Sequence, residues 1–309
     1  MQKFNNILYL SQGITDTRDS LGQAIRLSWS NKALVRGLIV CPALPSNMQA
    51  YQETYKHSLL ETLNTSVQDS LSEHDISGLD IQFPIELATS DKPDLTAISY
   101  LQQHKIDLLI KDAEPSKSES IGLRAIDMNL LRKCPCPVWL NRPCERPRNH
   151  RRVAVAVNPN SSSDEEKDLS VRLLKFARSI ADSCDSKLHI VSCWEYPLER
   201  YLDNHIWIKV SDEEMQTEVD HSYELHQAQL DTLIATAELD GETVIHHLHG
   251  TADEEIPHCV NSNEIDVLVM GTVARTGIPG VVIGNTAENI LQNVTCSLVA
   301  LKPKGFKAE

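Results

Sequence analysis

The sequence predicts an α/β protein made of two tandem five-stranded units, each a parallel sheet with helices on both faces. Three observations predict this class. Short continuous apolar runs alternate with longer amphipathic stretches, as parallel strands buried on both faces require. That order runs once before residue 141 and restarts after residue 150. The letters repeat along with the pattern. Ile106-Asp107-Leu108-Leu109-Ile110 matches Ile265-Asp266-Val267-Leu268-Val269 at an offset of 159 residues. Asn129-Leu130-Leu131 matches Asn289-Ile290-Leu291, and Cys136 matches Cys296, at an offset of 160. A duplicated unit with one extra loop residue accounts for both offsets.

In the first unit, Ile7–Leu10 reads as a strand and the stretch to Leu27 as an amphipathic helix. Leu34–Cys41 reads as a second buried strand, and residues 48–73 as a long helix. Ile81–Ala88 reads as strand, Leu95–His104 as helix and Asp107–Ile110 as strand. Leu123–Lys133 then reads as helix and Pro137–Leu140 as the last strand. Residues 141–150 are charged, hold two prolines and read as the linker between units at 1–141 and 151–303. Few contacts are expected to cross such a segment, which makes it the expected site of easiest proteolysis. Its arginines, Arg146 and Arg148, with Arg151 and Arg152 just beyond, read as a solvated basic tether.

In the second unit the strands are expected at Val153–Val157, Leu188–Cys193, Val244–His249, Val267–Met270 and Leu298–Leu301. The helices are expected at Asp164–Ala181, 212–238, Asp253–Val260 and Thr286–Gln292.

Charge and composition exclude several classes. Residues 1–148 carry 16 Lys and Arg against 17 Asp and Glu, while residues 149–309 carry 13 against 26. So acidic a second half argues against nucleic acid as a partner, because such binding needs a basic footprint. The first residues show no export signal, and no apolar run reaches the ~20 residues a membrane helix needs. The chain is therefore expected to be cytoplasmic and not inserted in a membrane. Its eight cysteines lie mostly in apolar stretches, as free thiols in a reducing compartment do. Cys134 and Cys136 form a C-x-C inside a strand-like stretch and read as structural.

The segment with chemistry is Gly271 to Asn289, GTVARTGIPGVVIGNTAEN. It follows the buried strand IDVLVM, crosses a glycine-rich loop and opens a helix at Gly284-Asn285-Thr286. Ligands of open parallel sheets sit beyond the carboxyl ends of the strands. Gly271 eases the chain out of the strand, Gly284 allows close approach over the loop, and the amides of Asn285 and Thr286 meet the helix dipole where an anion is favoured. No G-K-[ST] follows, so the loop is not a Walker A motif, and it lies after the wrong strand for a dinucleotide fingerprint.

These features resemble the universal stress protein family in its tandem-domain form. The resemblance rests on the order of elements, the duplication, and GTVARTG and GNTAEN; in the first unit it rests on Leu130-Leu131-Arg132-Lys133-Cys134-Pro135. It implies a nucleotide-binding, α-hydrolase-like unit, with the two units packed as a dimer would be. It also implies that some members bind ATP through this loop and others do not. Carried onto this chain, the ligand-binding residues are Asn158, Met270, Gly271, Arg275, Gly284, Asn285 and Thr286, with ATP or another adenine nucleotide and magnesium as the implied cofactors.

The chain departs from the ATP-binding pattern in three places. Ala274 replaces the second loop glycine, Asn285 stands where Ser or Thr is usual, and Asn158 replaces the acidic residue after the first strand. The first unit reads KDAEPSKSESIGLRAID at the same place, with Lys111 and Asp112 instead of glycine and with Glu114 and Glu119 added. Carboxylates there repel phosphate, so the first unit is expected to have lost the site.

Other clusters have blander readings. His246, His247 and His249 read as a strand-end group, although His247 and His249 share a face as two metal ligands could. Asp253-Glu254-Glu255 complements a helix dipole. Trp194, Tyr196 and Trp207 either line an apolar pocket or pack a long excursion. The function expected is a stress-response protein that binds a phosphate-bearing ligand in its second unit and acts through that binding and through partner proteins or a second copy. Two rivals stay open, a weak ATPase using the same loop and a carrier of an apolar or acylated ligand.

Overall fold

A computed structural model describes residues 4–13, 18–73, 81–114, 123–160, 163–196, 198–199, 211–272 and 283–306. Its first half runs β1 (Asn6–Ser11), α1 (Arg18–Asn31), β2 (Leu34–Cys41), a 3₁₀ turn (Ser46–Tyr51), α2 (Gln52–Glu73), β3 (Ile85–Thr89), α3 (Pro93–Gln103), β4 (Leu108–Asp112), α4 (Ala125–Lys133) and β5 (Val138–Asn141). After a 3₁₀ turn at Arg148–His150, the second half runs β6 (Val153–Ala156), α5 (Asp164–Ser183), β7 (Leu188–Trp194), α6 (Asp212–Ala237), β8 (Thr243–His249), α7 (Ala252–Ser262), β9 (Val267–Gly271), α8 (Asn285–Asn293) and β10 (Ser297–Leu301). The elements follow the sequence pattern closely. β3 begins later than the expected Ile81, because Pro84 has no N–H for the ladder and enters it only as an acceptor from Gly37 N–H (2.9 Å).

The strands form one sheet in the order β3-β2-β1-β4-β5-β10-β9-β6-β7-β8. Every neighbouring pair is parallel except β5 and β10, which meet antiparallel through Leu140–Leu298, Trp139–Val299 and Val138–Ala300. Strand residues alternate between two cores. Ile7, Tyr9, Val153 and Val155 face α1, α2, α5 and α6, while Leu8, Leu10, Ala154 and Ala156 face α3, α4, α7 and α8. Local signals set the helix starts. Ser163 Oγ accepts from Glu166 N–H (3.2 Å), and Ser211 with Glu214 forms a reciprocal capping box at α6.

The repeated letters have structural reasons. Asp107 accepts the Asn5 and Asn6 amides just ahead of β1 (2.8 and 2.9 Å), and Asp266 accepts the Arg152 amide ahead of β6 (2.8 Å). Asn129 on α4 donates to Asp94 on α3, and Asn289 on α8 donates to Asp253 on α7, both at 3.1 Å. Each half thus ties its central strands, and its second helix pair, with the same side chains.

The two halves are joined by more than the seam. Lys302, beyond β10, donates to the carbonyls of Arg132 (3.0 Å) and Cys134 (2.6 Å) at the end of α4, where a cation complements the helix dipole. Arg132 on α4 pairs with Glu288 on α8. Phe4 and Phe176 pack edge to face at 5.3 Å between centroids.

The linker is not the solvated tether that its composition suggests. Arg146 pairs with Asp266 and Glu264, Arg152 with Glu264, and Arg151 with Asp19 of α1. Cys144 Sγ donates to Asp266 Oδ1, and Arg142 N–H donates to Ser297 Oγ. Ion pairs to residues more than a hundred positions away hold the segment down, so easy proteolysis is not expected there.

Candidate ligand site

Because β5 and β10 run antiparallel, the carboxyl ends of the two sets of strands lie at opposite ends of the sheet. Each half therefore has its own place for a ligand, beyond β4 in the first half and beyond β9 in the second. Strand register equates the two places. Lys111 is paired to Leu140 as Met270 is to Ala300, and Asp112 to Asn141 as Gly271 is to Leu301. Asp127 is the third residue of α4, as Ala287 is of α8.

The place in the first half is filled by the chain itself. Lys111 and Asp127 are buried and pair at 2.9 Å. Lys111 Nζ also donates to Asp112 O (2.7 Å), and Glu114 N–H donates to Asp127 Oδ2 (2.8 Å). Asp127 thus puts a carboxylate at the positive end of α4, where a bound anion would sit. On the other face, Asp112 accepts from Ser20 Oγ (2.7 Å), Tyr9 OH (3.3 Å) and Asn141 Nδ2 (3.2 Å). The sequence implicated Glu114 and Glu119 in the loss of this site. Glu114 contributes only its amide to this cluster, Glu119 lies outside the described residues, and the decisive carboxylate is Asp127.

Among the described residues the second half has no such cluster. At the equivalent places stand Met270, Gly271, Ala287, Leu301 and, for Tyr9, Val155. The start of α8 is held by Gly284 N–H donating to Thr272 O (3.2 Å), and Glu288 N–H returns to Gly284 O (2.9 Å). Between them the amides of Asn285, Thr286 and Ala287 have no backbone acceptor among the described residues, as the first turn of a helix leaves them. Thr272, whose carbonyl takes the Gly284 N–H, is buried, and its Oγ1 has no hydrogen-bond partner among the described residues. The place therefore offers amide donors and a helix dipole beside a buried hydroxyl, and among the described residues the one carboxylate of the first turn of α8, Glu288, is turned to Arg132.

The expected site residues divide accordingly. Met270, Gly271, Gly284, Asn285 and Thr286 come together at the end of β9 and the start of α8. Asn158 lies just beyond β6, and its Oδ1 accepts Asn160 N–H (2.9 Å) to shape its own turn. Arg275 and Ala274 lie outside the described residues. The glycines are there for reasons other than backbone freedom. Gly284 has φ −60° and ψ 141°, angles any residue adopts. A Cβ on Gly271 would stand 3.3 Å from Leu169 Cδ2, so that glycine admits the packing of α5 against β9. Sequence reasoning missed Thr272, Ala287 and Asp127. Setting the two units side by side at an offset of 160 would have exposed the Asp127–Ala287 difference.

The histidines do not converge on a metal. His247 bonds His226 of α6 (Nε2 to Nδ1, 2.7 Å), His249 bonds Glu199 (2.9 Å), and His246 bonds His189 across β7 (2.9 Å) on the opposite face. Among the described residues no group of three His, Cys, Asp or Glu side chains could hold a metal. Trp194 stacks on His249 at 4.3 Å and meets Tyr223 edge to face at 5.4 Å. Trp207 lies outside the described residues. The cysteines are free, and burial pushes the Cys193 and Cys296 thiols up to about 12, which makes them unreactive at neutral pH. No described helix is long and apolar enough to cross a membrane.

The model of the universal stress protein family matches residues 150–302. Universal stress protein E of Photorhabdus laumondii is 25% identical over 320 residues, covering 99% of this chain and 98% of its own. The universal stress protein E homolog of Haemophilus influenzae is 25% identical over 318 residues, covering 97% and 98%. A solved universal stress protein from Archaeoglobus fulgidus superposes with a TM-score of 0.61 at 14% identity, over 96% of this chain and 98% of that one, a likeness of fold.

Two outcomes are expected from this geometry. Lys111→Met or Asp127→Asn alone breaks a buried pair and is expected to lower unfolding free energy by about 3–5 kcal/mol. The double variant Lys111→Met/Asp127→Ala copies the second half and is expected to lose less than either single one; losses that simply add in urea titrations would contradict the pairing. The second outcome concerns pH. Burial, and then His247, hold His226 down to about 4, whereas an unfolded histidine takes up its proton near pH ~6.5. The stability carried by neutral His226 is therefore complete above about pH 6.5 and is lost as pH falls from there through about 4. Urea midpoints should drop between about pH 7.5 and about pH 5, and His226→Gln should flatten that drop.

Proposed function

We propose, on the premise that the chain belongs to the universal stress protein family, that it is a cytoplasmic stress-response protein whose second half binds a nucleotide or another phosphate-bearing ligand. It acts through that binding and through contacts with partner proteins or a second copy, without turnover. The observation that carries this reading is the contrast between the halves. One fold position holds Lys111, Asp112 and Asp127 in the first half and Met270, Gly271 and Ala287 in the second. Where the first half supplies its own carboxylate to the helix end, the second leaves three amides and the Thr272 hydroxyl for an anion from outside.

The donors fit phosphate better than they fit a metal. They are neutral N–H and O–H groups, and the residue after β6 that could hold magnesium as a carboxylate is Asn158, already engaged in its own turn. Magnesium belongs to this site only as the companion of a nucleotide's phosphates. Hydrolysis needs a positioned water, a base and compensation of phosphoryl charge, and the described carboxylates near α8, Glu288 and Asp253, are engaged by Arg132 and Asn289. The carrier reading draws no support from Trp194, whose ring is stacked on His249 and set edge to face against Tyr223.

The test is calorimetric titration with ATP and magnesium, beside a phosphate-release assay. Wild type should bind weakly without release above the uncatalysed rate. Gly284→Asp, which puts a carboxylate at the head of α8 as Asp127 does at α4, should abolish binding. Thr272→Val should weaken it about three- to tenfold, the worth of one hydrogen bond. Robust turnover that disappears in Gly271→Val and Gly284→Asp would establish the ATPase reading instead.

A further inference from the structure

The end of α4 carries a thiol that packing does not require. α4 runs into β5 through Cys134-Pro135-Cys136-Pro137, and α8 runs into β10 through Val294-Thr295-Cys296. Cys134 and Val294 hold the same place. Each closes its helix with its N–H, Cys134 on Leu130 O (2.9 Å) and Val294 on Ile290 O (3.1 Å), and both are fully buried in the same core. An aliphatic side chain thus fills this place as well as a thiol does. The first half instead sets a thiol there beside Cys136.

In a strand the two side chains of a C-x-C share a face but stand roughly 6.7 Å apart along it, two rises of the chain. Here the chain bends at Pro135 and Cys136 ahead of β5, and Cys134 Sγ and Cys136 Sγ come within 3.5 Å. The bend lies close to the surface. Arg132, Lys133, Pro135 and Pro137 around it are half-buried, and Cys136 keeps 6% exposure.

The two sulfurs are not equivalent. Lys302 Nζ stands beside Cys134 and donates to its carbonyl (2.6 Å). Burial opposes ionisation of Cys134, but the thiol and amide of Cys136, and then the Lys302 ammonium, outweigh it and hold Cys134 below the ordinary thiol value. The contact with Cys134, and then burial, push Cys136 well above that value. Asp107, whose carboxylate takes the Asn5 and Asn6 amides, adds to the push, and Lys302 only partly offsets it. One sulfur is the readier nucleophile, and its neighbour keeps the proton.

We propose that Cys134 and Cys136 are a site of reversible oxidation, which a small hydroperoxide closes into a disulfide. The Cys134 thiolate attacks one peroxide oxygen and the O–O bond breaks. Cys134 becomes a sulfenic acid, and the other oxygen leaves as hydroxide and takes up the proton that Cys134 released. The Cys136 sulfur then attacks the Cys134 sulfur, the S–O bond breaks, and hydroxide leaves with the Cys136 proton as water. Two thiols have lost two electrons and two protons, and hydrogen peroxide has become two waters. The sulfurs close from 3.5 Å to about 2.05 Å within one bend. The inference does not rest on the nucleotide reading.

The test exposes the reduced full chain to hydrogen peroxide without denaturant, then unfolds it with iodoacetamide present and maps the cysteines by mass spectrometry. The segment holding Cys134 and Cys136 should be about 2 Da lighter, with both sulfurs unalkylated, and dithiothreitol should restore both thiols. Fragment ions should place the bond between these two and leave Cys144 alkylated. The bond should form before the buried Cys41, Cys184 and Cys296 change. In Cys136→Ser, where a hydroxyl replaces the second thiol, dimedone should capture a sulfenic acid at Cys134. In Cys134→Val, which copies Val294, Cys136 should stay reduced under the same exposure. A bond to Cys144 would overturn the proposal, as would Cys136→Ser without a dimedone adduct at Cys134. So would a pair that reacts only in urea, alongside the other buried cysteines, or Cys136 oxidation that is unchanged in Cys134→Val.

Discussion

The antiparallel meeting of β5 and β10 is the constraint on which the rest of this structure depends. Parallel strands need helices on both faces, and the two halves satisfy that need separately. The seam adds a direction. By turning one half over relative to the other, it sends the carboxyl ends of the two sets of strands to opposite ends of a single ten-stranded sheet. It also brings α4 beside α8, so that Arg132 meets Glu288 and Lys302 closes the end of α4. The linker must then pass from the end of β5 to the start of β6, and the pairs made by Arg146, Arg151 and Arg152 fix that path.

Duplication lets the two halves answer one physical problem in two ways. A helix that starts beyond a buried strand exposes unpaired amides and a positive dipole end. In the first half a carboxylate from the helix itself, Asp127, meets that demand, and the buried charge is tolerable because Lys111 pairs with it and Glu114 donates an amide to it. In the second half Ala287 and Met270 supply no such pair, and the demand is unmet among the described residues. One half is closed by its own side chains, and the other is proposed to take its anion from outside.

The arrangement of strands and helices was legible because it rests on apolar periodicity, and the duplication because Ile106-Asp107 and Ile265-Asp266, or Asn129 and Asn289, keep the same bonding roles in both halves. The candidate site was placed from the sequence for a general reason, since ligands of such sheets gather at strand ends. What composition could not reveal were pairings between residues far apart in the chain. Arg146 reads as a tether until Asp266, 120 positions on, is placed beside it. Gly284 reads as a residue that admits close approach, and its angles are ordinary; the telling features are the small side chain of Ala287 and the Thr272 hydroxyl, which has no partner among the described residues.

The central claim is that the two equivalent helix starts differ in whether the chain fills them. Backbone amide NMR during titration with ADP reads both at once in the intact protein. The account expects the amides of Thr272, Asn285, Thr286 and Ala287 to shift with ligand, while those of Glu114 and of Ala125 to Asp127 stay in place. Shifts centred on Ala125 to Asp127, or a set around α8 that stays unmoved at saturating ADP, would contradict it.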